Sequence, residues 1–194
     1  MINCNNMKKI YYFLFLLIGT LSMTSCLKDD NTYEDYEAWR VANEAFYNQM
    51  KDSVWTNPET GKEESYYKEI ASLAYPEYKI LYHQIDSVEN DGRKPYFTST
   101  VKVDYAGHLY NTTTNFDAQN GMEFKVSGVI QGWTLALMNM TAGEKWEVVI
   151  PWQLAYGAAG AGSIPPYSTL VFDIKLLEIT KWEKVKGNYS VINE

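Results

Sequence analysis

T-L-V-F-D-I-K-L-L-E-I, from Thr169 to Ile179, is the strongest strand in the sequence. It is long, apolar and rich in β-branched and aromatic residues, which suit a pleated, buried surface. The loop before it, Gly157–Gly162, is glycine-rich, and Glu144–Ile150 reads as a strand entered from a turn at Ala142-Gly143. Further upstream, Gln131–Met138 has the character of a short apolar helix and Glu123–Val126 that of a short strand. Asn111–Asn115 is polar and turn-like. Thr98–Tyr105 alternates, with Val101, Val103 and Tyr105 on one side, and Ile80–Ile85 reads as another strand, separated from it by a turn at Asp91-Gly92. Many strands around one central short helix predict an α+β domain, an antiparallel sheet wrapped on a helix.

The segment before this domain carries helical signals. Thr32-Tyr-Glu-Asp35 fits the capping pattern of a helix start, and Tyr36, Trp39, Phe46, Tyr47, Met50 and Val54 recur near helical spacing. A helix is expected from about Thr32 to Val54, then a turn at Asn57-Pro58 and Thr60-Gly61. A second helix is expected from about Glu63 to Ala74, with Tyr66, Tyr67, Ile70 and Leu73 on its apolar side and Pro76 as its stop. These aromatic faces need a partner. Packing onto the following domain is the first reading; a dimer interface or a client-holding surface is the sharper one.

The first residues read as an address. Lys8 and Lys9 precede the apolar run Ile10–Leu21, which is too short for a membrane-spanning helix and matches a signal-peptide core. Met7 is an alternative start. Met23-Thr24-Ser25-Cys26 resembles a bacterial lipobox, with Cys26 as the lipidated first residue of the mature chain; Met23 stands where Leu or another aliphatic is usual. Ordinary cleavage near Ser25, leaving Cys26 a free thiol, is the alternative. Several acyl chains on Cys26 anchor firmly, since each buried methylene contributes about 0.8 kcal/mol. Lys28-Asp29-Asp30 just beyond resembles an export signal of some Gram-negative lipoproteins, or is a solvated linker.

Composition excludes several classes of function. The 194 residues carry a net charge of −7, and removing 1–25 takes away two lysines and no acids, so nucleic acid is not an expected partner. The two cysteines, Cys4 and Cys26, lie near the N-terminus, so the folded body has no disulfide framework. With His83 and His108 the only histidines and no H-E-x-x-H, no metal site or cofactor is expected. No G-x-S-x-G elbow is present, and the loop G-A-A-G-A-G lacks the G-K-[ST] of a phosphate loop. The sequence carries no evident nucleophile or acid/base constellation, and an enzyme that forms no covalent intermediate needs none.

Between Val101 and Ile179 a series of motifs occurs in one order: V-D-Y-A-G-H-L (Val103–Leu109), N-F-D (Asn115–Asp117), F-K-V (Phe124–Val126), G-V-I-Q-G-W (Gly128–Trp133), M-T-A-G-E-K (Met140–Lys145), I-P-W-Q-L-A-Y-G (Ile150–Gly157) and S-I-P-P-Y-S-T-L-V-F-D-I-K-L-L (Ser163–Leu177). The series resembles the FKBP-type peptidyl-prolyl cis-trans isomerases. The resemblance implies a twisted antiparallel sheet curled around one short helix near Gln131–Met138, with a pocket between them. With the N-terminal pattern, it divides the chain into a lipoprotein signal peptide (1–25), a linker and helical extension (26–78), an isomerase domain (79–182) and a C-terminal tail (183–194).

Carried over position by position, the resemblance makes Tyr105 a wall residue, Phe116 and Asp117 the Phe-Asp pair, Phe124 the next wall aromatic and Trp133 the floor. Val129 and Ile130 become the rim, with the Ile130 N–H holding a substrate carbonyl. Tyr156 offers a hydroxyl over the pocket, and Ile164 and Phe172 close the far side. Asp117, Tyr105, Phe172 and Tyr156 are then the expected catalytic set, with Asp117 hydrogen-bonded to Tyr105. Two departures stand at the rim: A-Q-N-G-M-E between Asp117 and Phe124 is short and has no Arg, and the Gly157–Pro165 flap is slightly shortened, with Ala or Gly where some relatives carry His. The implied partners are X–Pro segments of unfolded or exported proteins, a macrolide inhibitor of the class, the membrane through the lipid anchor, and a second copy through the N-terminal helices. The implied location is the outer membrane, on its periplasmic face or at the cell surface. A non-catalytic Pro-peptide-binding chaperone or surface-complex lipoprotein is the alternative function.

Overall fold

The computed structural model describes residues 32–182, with side chains from Tyr36 onward. The signal peptide, the lipobox with Cys26, the tail 183–194 and the side chains of the Thr32–Asp35 capping pattern lie outside the described residues. Helix α1 spans Thr32–Lys51. A small antiparallel pair follows, β1 (Val54–Thr56) with β2 (Glu63–Ser65). The main sheet contains β3 (Lys68–Ala71), β4 (Lys79–Asp86), β5 (Thr100–Leu109), β6 (Asn115–Lys125), β7 (Lys145–Ile150) and β8 (Leu170–Lys181). Its order is β3-β4-β7-β8-β5-β6, and every neighbouring pair is antiparallel. Helix α2 (Gln131–Leu137) lies against one face.

The run L-V-F, Leu170–Phe172, is continuously apolar because the sheet is covered on both faces there. Successive strand residues point to opposite sides. Ile80, Val148, Ile150, Leu170 and Phe172 join the core beneath α2, with Trp133, Ala136 and Leu137 from the helix. Their chain neighbours Leu81, Val149 and Val171 form a second cluster with Tyr67, and Phe46, Tyr47 and Met50 of α1 pack on it. The aromatic face of α1 therefore docks on the sheet, as its helical spacing requires of a partnered amphipathic helix.

Three expectations are corrected. Helix α1 stops at Lys51, short of Val54: the Ser53 hydroxyl donates to the carbonyls of Gln49 and Met50, and the Ser53 carbonyl accepts the Tyr66 N–H at 2.9 Å, which draws the chain into β1. The second helix, Glu63–Ala74, is absent, and β2 and β3 occupy that stretch. Its apparent helical face is not one face. Tyr67 is buried and donates its hydroxyl to Glu147, Tyr66 stacks on His83 with centroids 3.9 Å apart, and Leu73 is 93% exposed. Pairing of Lys68–Ala71 with Lys79–Tyr82 overrides the local periodicity. Strand β6 is also longer than the expected Glu123–Val126. It is a mostly exposed edge, so it lacks the alternation that marks half-buried strands, and a bulge places Asn120 and Gly121 opposite Asp104. Gly121 takes φ +67° there and donates its N–H to Asp104 Oδ1 at 2.7 Å.

Leu81 is fully buried between the sheet and α1. Leu81→Ala is expected to lower unfolding free energy by about 2–5 kcal/mol in urea titration; a loss below about 0.5 kcal/mol contradicts the docking of α1 on this face.

Candidate active site

Strands β5, β6 and β8 run side by side, and the register sets Gly107 of the middle strand between Asp117 and Phe172. Gly107 has no side chain for a steric reason. A Cβ there would fall 2.3 Å from the Phe172 ring and 2.8 Å from that of Phe116. Those rings close over the glycine and meet edge to face at 5.6 Å and 87°. From the opposite side α2 supplies Trp133, only 4% exposed. Its indole meets Tyr105 at 5.1 Å and 85°, Phe172 at 5.2 Å and 86°, and Phe124 at 5.7 Å and 78°. Such edge-to-face contacts contribute about 0.5–1.5 kcal/mol each beyond burial, so the rings hold one another in place.

These rings enclose a cavity of about 280 Å³ between α2 and the sheet. It is lined by Tyr105, Phe116, Asp117, Phe124, Gly128, Val129, Ile130, Trp133, Tyr156 and Phe172. Nine of the ten residues expected from the sequence converge there; Ile164 does not line it. Ile164 is buried in the core instead, paired with Ala161 through backbone hydrogen bonds of 2.9 and 2.8 Å. Gly128 and Gly107 were not picked out individually. Both stand inside quoted motifs, and nothing in the sequence beyond those motifs marks them.

The cavity's single carboxylate belongs to Asp117. The Tyr105 hydroxyl donates to Asp117 Oδ2 at 2.7 Å. Burial, then that hydrogen bond and the nearby charge of Asp117, push the Tyr105 phenol up to about 12. It stays protonated at neutral pH and its proton is committed to Asp117. The lining contains no His, Lys, Cys or Ser, so the site has no nucleophile–base pair. What it offers is a small apolar cup, one oriented carboxylate and a partly exposed phenol at Tyr156, 38% accessible at the mouth. Such a site can bind and bend a neutral group and stabilise a changed charge distribution without making a bond.

An antiparallel sheet closed by one short helix over an aromatic cup is the arrangement of this site. The model of the FKBP-type peptidyl-prolyl cis-trans isomerases matches residues 92–177. The FKBP-type 22 kDa peptidyl-prolyl cis-trans isomerase of Escherichia coli strain K12 is 50% identical over 96 residues, 47% of this chain and 46% of that protein. The crystal structure of a peptidyl-prolyl cis-trans isomerase from Pseudomonas syringae pv. tomato DC3000 is 34% identical, with a TM-score of 0.55 over 73% of this chain and 93% of that one. FkpA from Escherichia coli is 28% identical in its crystal structure, with a TM-score of 0.57 over 91% of this chain and 83% of that one. The chain belongs to the FKBP-type peptidyl-prolyl cis-trans isomerase family. It spans about half the length of the curated relatives it matches.

Two measurements follow from the geometry. Gly107→Ala forces Phe172 and Phe116 apart, and is expected to destabilise the fold by about 1–3 kcal/mol and to lose binding in the cavity; unchanged stability and unchanged binding contradict the close approach. Tyr105, identified by difference against Tyr105→Phe, is expected to ionise near pH 12 in an ultraviolet titration. An unfolded tyrosine ionises near pH 10. Because the folded value is higher, the contribution of this group to stability is fully present below about pH 10 and is lost as pH rises towards 12. A Tyr105 that ionises near 10 contradicts the hydrogen bond to Asp117.

Proposed function

We propose that this chain catalyses cis/trans rotation about X–Pro peptide bonds in exported proteins, with residues 79–182 as its isomerase domain and lipid on Cys26 as its anchor to the outer membrane. The observation that carries the catalytic reading is the convergence of Trp133, Tyr105, Phe124 and Phe172 on one small cavity that also holds the Tyr105–Asp117 hydrogen bond. Rotation about a peptide bond faces a barrier of roughly 18–20 kcal/mol, because amide resonance must be broken. The twisted amide has lost that resonance and is better served by an apolar, water-poor surrounding than the planar amide, which is held by water. In this mechanism the pyrrolidine ring sits on Trp133, between Tyr105, Phe116, Phe124 and Phe172. The Ile130 N–H holds a substrate carbonyl, Val129 forms the rim beside it, and the Tyr156 hydroxyl covers the mouth. Asp117, oriented by Tyr105, acts electrostatically on the twisted carbonyl or nitrogen and moves no proton. A macrolide inhibitor of the class competes for the same cup.

The export reading is supported by the basic and apolar pattern of residues 8–21 and the small residues before Cys26. Client holding by α1 is disfavoured, because Phe46, Tyr47 and Met50 are packed on the sheet.

A protease-coupled or NMR exchange assay on a panel of X–Pro peptides tests the proposal. The wild-type chain is expected to accelerate isomerisation, and Asp117→Ala or Phe172→Ala to lower kcat/KM at least about tenfold, a loss of ~1.4 kcal/mol of transition-state stabilisation. No acceleration at high protein concentration contradicts it.

A further inference from the structure

Helix α1 lies outside the residues that match the family model, yet it is tied to both ends of the loop that carries Tyr156. At the far end, Asn43 is fully buried and its Oδ1 accepts the Thr169 N–H at 2.7 Å, while the Thr169 hydroxyl donates to the Asn43 carbonyl at 3.2 Å. The Asn43 Nδ2 donates back to the Trp39 carbonyl at 2.8 Å, which fixes the amide's orientation. Trp39 Nε1–H donates to Ser168 Oγ at 3.1 Å, and the Ser168 hydroxyl donates in turn to the Pro165 carbonyl at 2.7 Å. At the near end, Trp152 Nε1–H donates to Glu44 Oε1 at 3.3 Å.

Inside the loop the two ends are linked. The Trp152 carbonyl accepts the Gly157 N–H, and the Gly157 carbonyl accepts the Tyr167 N–H, both at 2.9 Å. Tyr167, between the Pro165 and Ser168 contacts, holds φ +60°, a left-handed conformation that a non-glycine residue keeps only when its surroundings enforce it. Its ring stands edge-on to Trp152 at 5.1 Å. The chain of contacts runs from α1 through Ser168 and Thr169 to Gly157, the residue next to Tyr156.

We propose that Asn43 and Trp39 are positioning residues for the cavity: they brace the Trp152–Thr169 loop so that Tyr156 stays over the mouth, and α1 thereby sets the activity of a site it does not touch. The proposal rests on the reading of the cavity as an isomerase site. A covering helix that merely adds stability would raise the unfolding temperature without acting through Tyr156. A brace acts through Tyr156.

The test is a double-mutant cycle on the full chain with an Ala–Pro peptide, at a temperature where thermal melts show every variant folded. Asn43→Ala is expected to lower kcat/KM about threefold or more in the wild-type background and to have no further effect in Tyr156→Ala. An unchanged kcat/KM overturns the proposal, and so does an equal loss in both backgrounds. Trp39→Phe removes the Ser168 bond while keeping an aromatic ring, and replaces Asn43→Ala in the cycle if that variant does not fold. Amide exchange across Gly157–Thr169 is read in parallel and needs no activity. Exchange is expected to speed up in either variant, and unchanged protection of the loop overturns the brace. A wild-type chain without isomerase activity refutes the catalytic reading, while the exchange data alone then decide whether the brace exists.

Discussion

The Trp133 indole meets, edge to face, three rings that come from three different parts of the chain. Tyr105 belongs to the middle strand of one side of the sheet, Phe124 to its edge, and Phe172 to the strand that α1 covers from behind. Each contact is worth little alone, but together they leave no ring free to rotate into the cavity. The constraint reaches backwards into the backbone. Phe172 and Phe116 approach as they do only because position 107 has no Cβ. It also has an energetic cost: the Trp133 Nε1–H is buried with no acceptor among the described residues, so the floor of the cup is apolar at the expense of a hydrogen bond.

Much of this was legible in the sequence, for identifiable reasons. Thr169–Ile179 reads as a strand whatever surrounds it; that its apolar start Leu170–Phe172 is covered on both faces, by α2 on one side and α1 on the other, is shown by the structure. The ring residues of the site are legible through the resemblance, which assigns the pocket positions motif by motif; the sheet register and α2 bring those residues together. Ile164 shows the limit of that reasoning. The resemblance places it on the far side of the cup beside Phe172, while the short bridge to Ala161 turns it into the core. The stretch Glu63–Ala74 imitates a helical face through Tyr66, Tyr67, Ile70 and Leu73, although the first three meet His83, Glu147 and strand β4 and Leu73 is exposed. Only tertiary pairing separates the two outcomes. Strand β6 was under-read for the opposite reason: an exposed edge needs no apolar alternation.

The site also shows why a search for nucleophiles and bases finds nothing in this sequence. The one ionisable pair in the cavity, Tyr105 and Asp117, is locked by its own hydrogen bond, and burial raises the phenol out of the physiological range. A locked pair suits a role in shape and charge rather than proton transfer. The covering helix fits the same picture. A cup without covalent chemistry depends on the placement of its walls, and α1 is hydrogen-bonded to the loop that supplies the last of them.

The central claim of the proposed function is that this ring set takes the proline of an X–Pro segment. Titration of the isotope-labelled protein with an Ala–Pro peptide and with its Ala–Ala counterpart, followed by NMR, tests it most directly. The account predicts that the Pro peptide shifts the Trp133 indole, the Phe172 ring and the Ile130 amide while the Ala counterpart leaves them in place. Shifts confined to residues outside the cavity, or equal shifts with both peptides, contradict it.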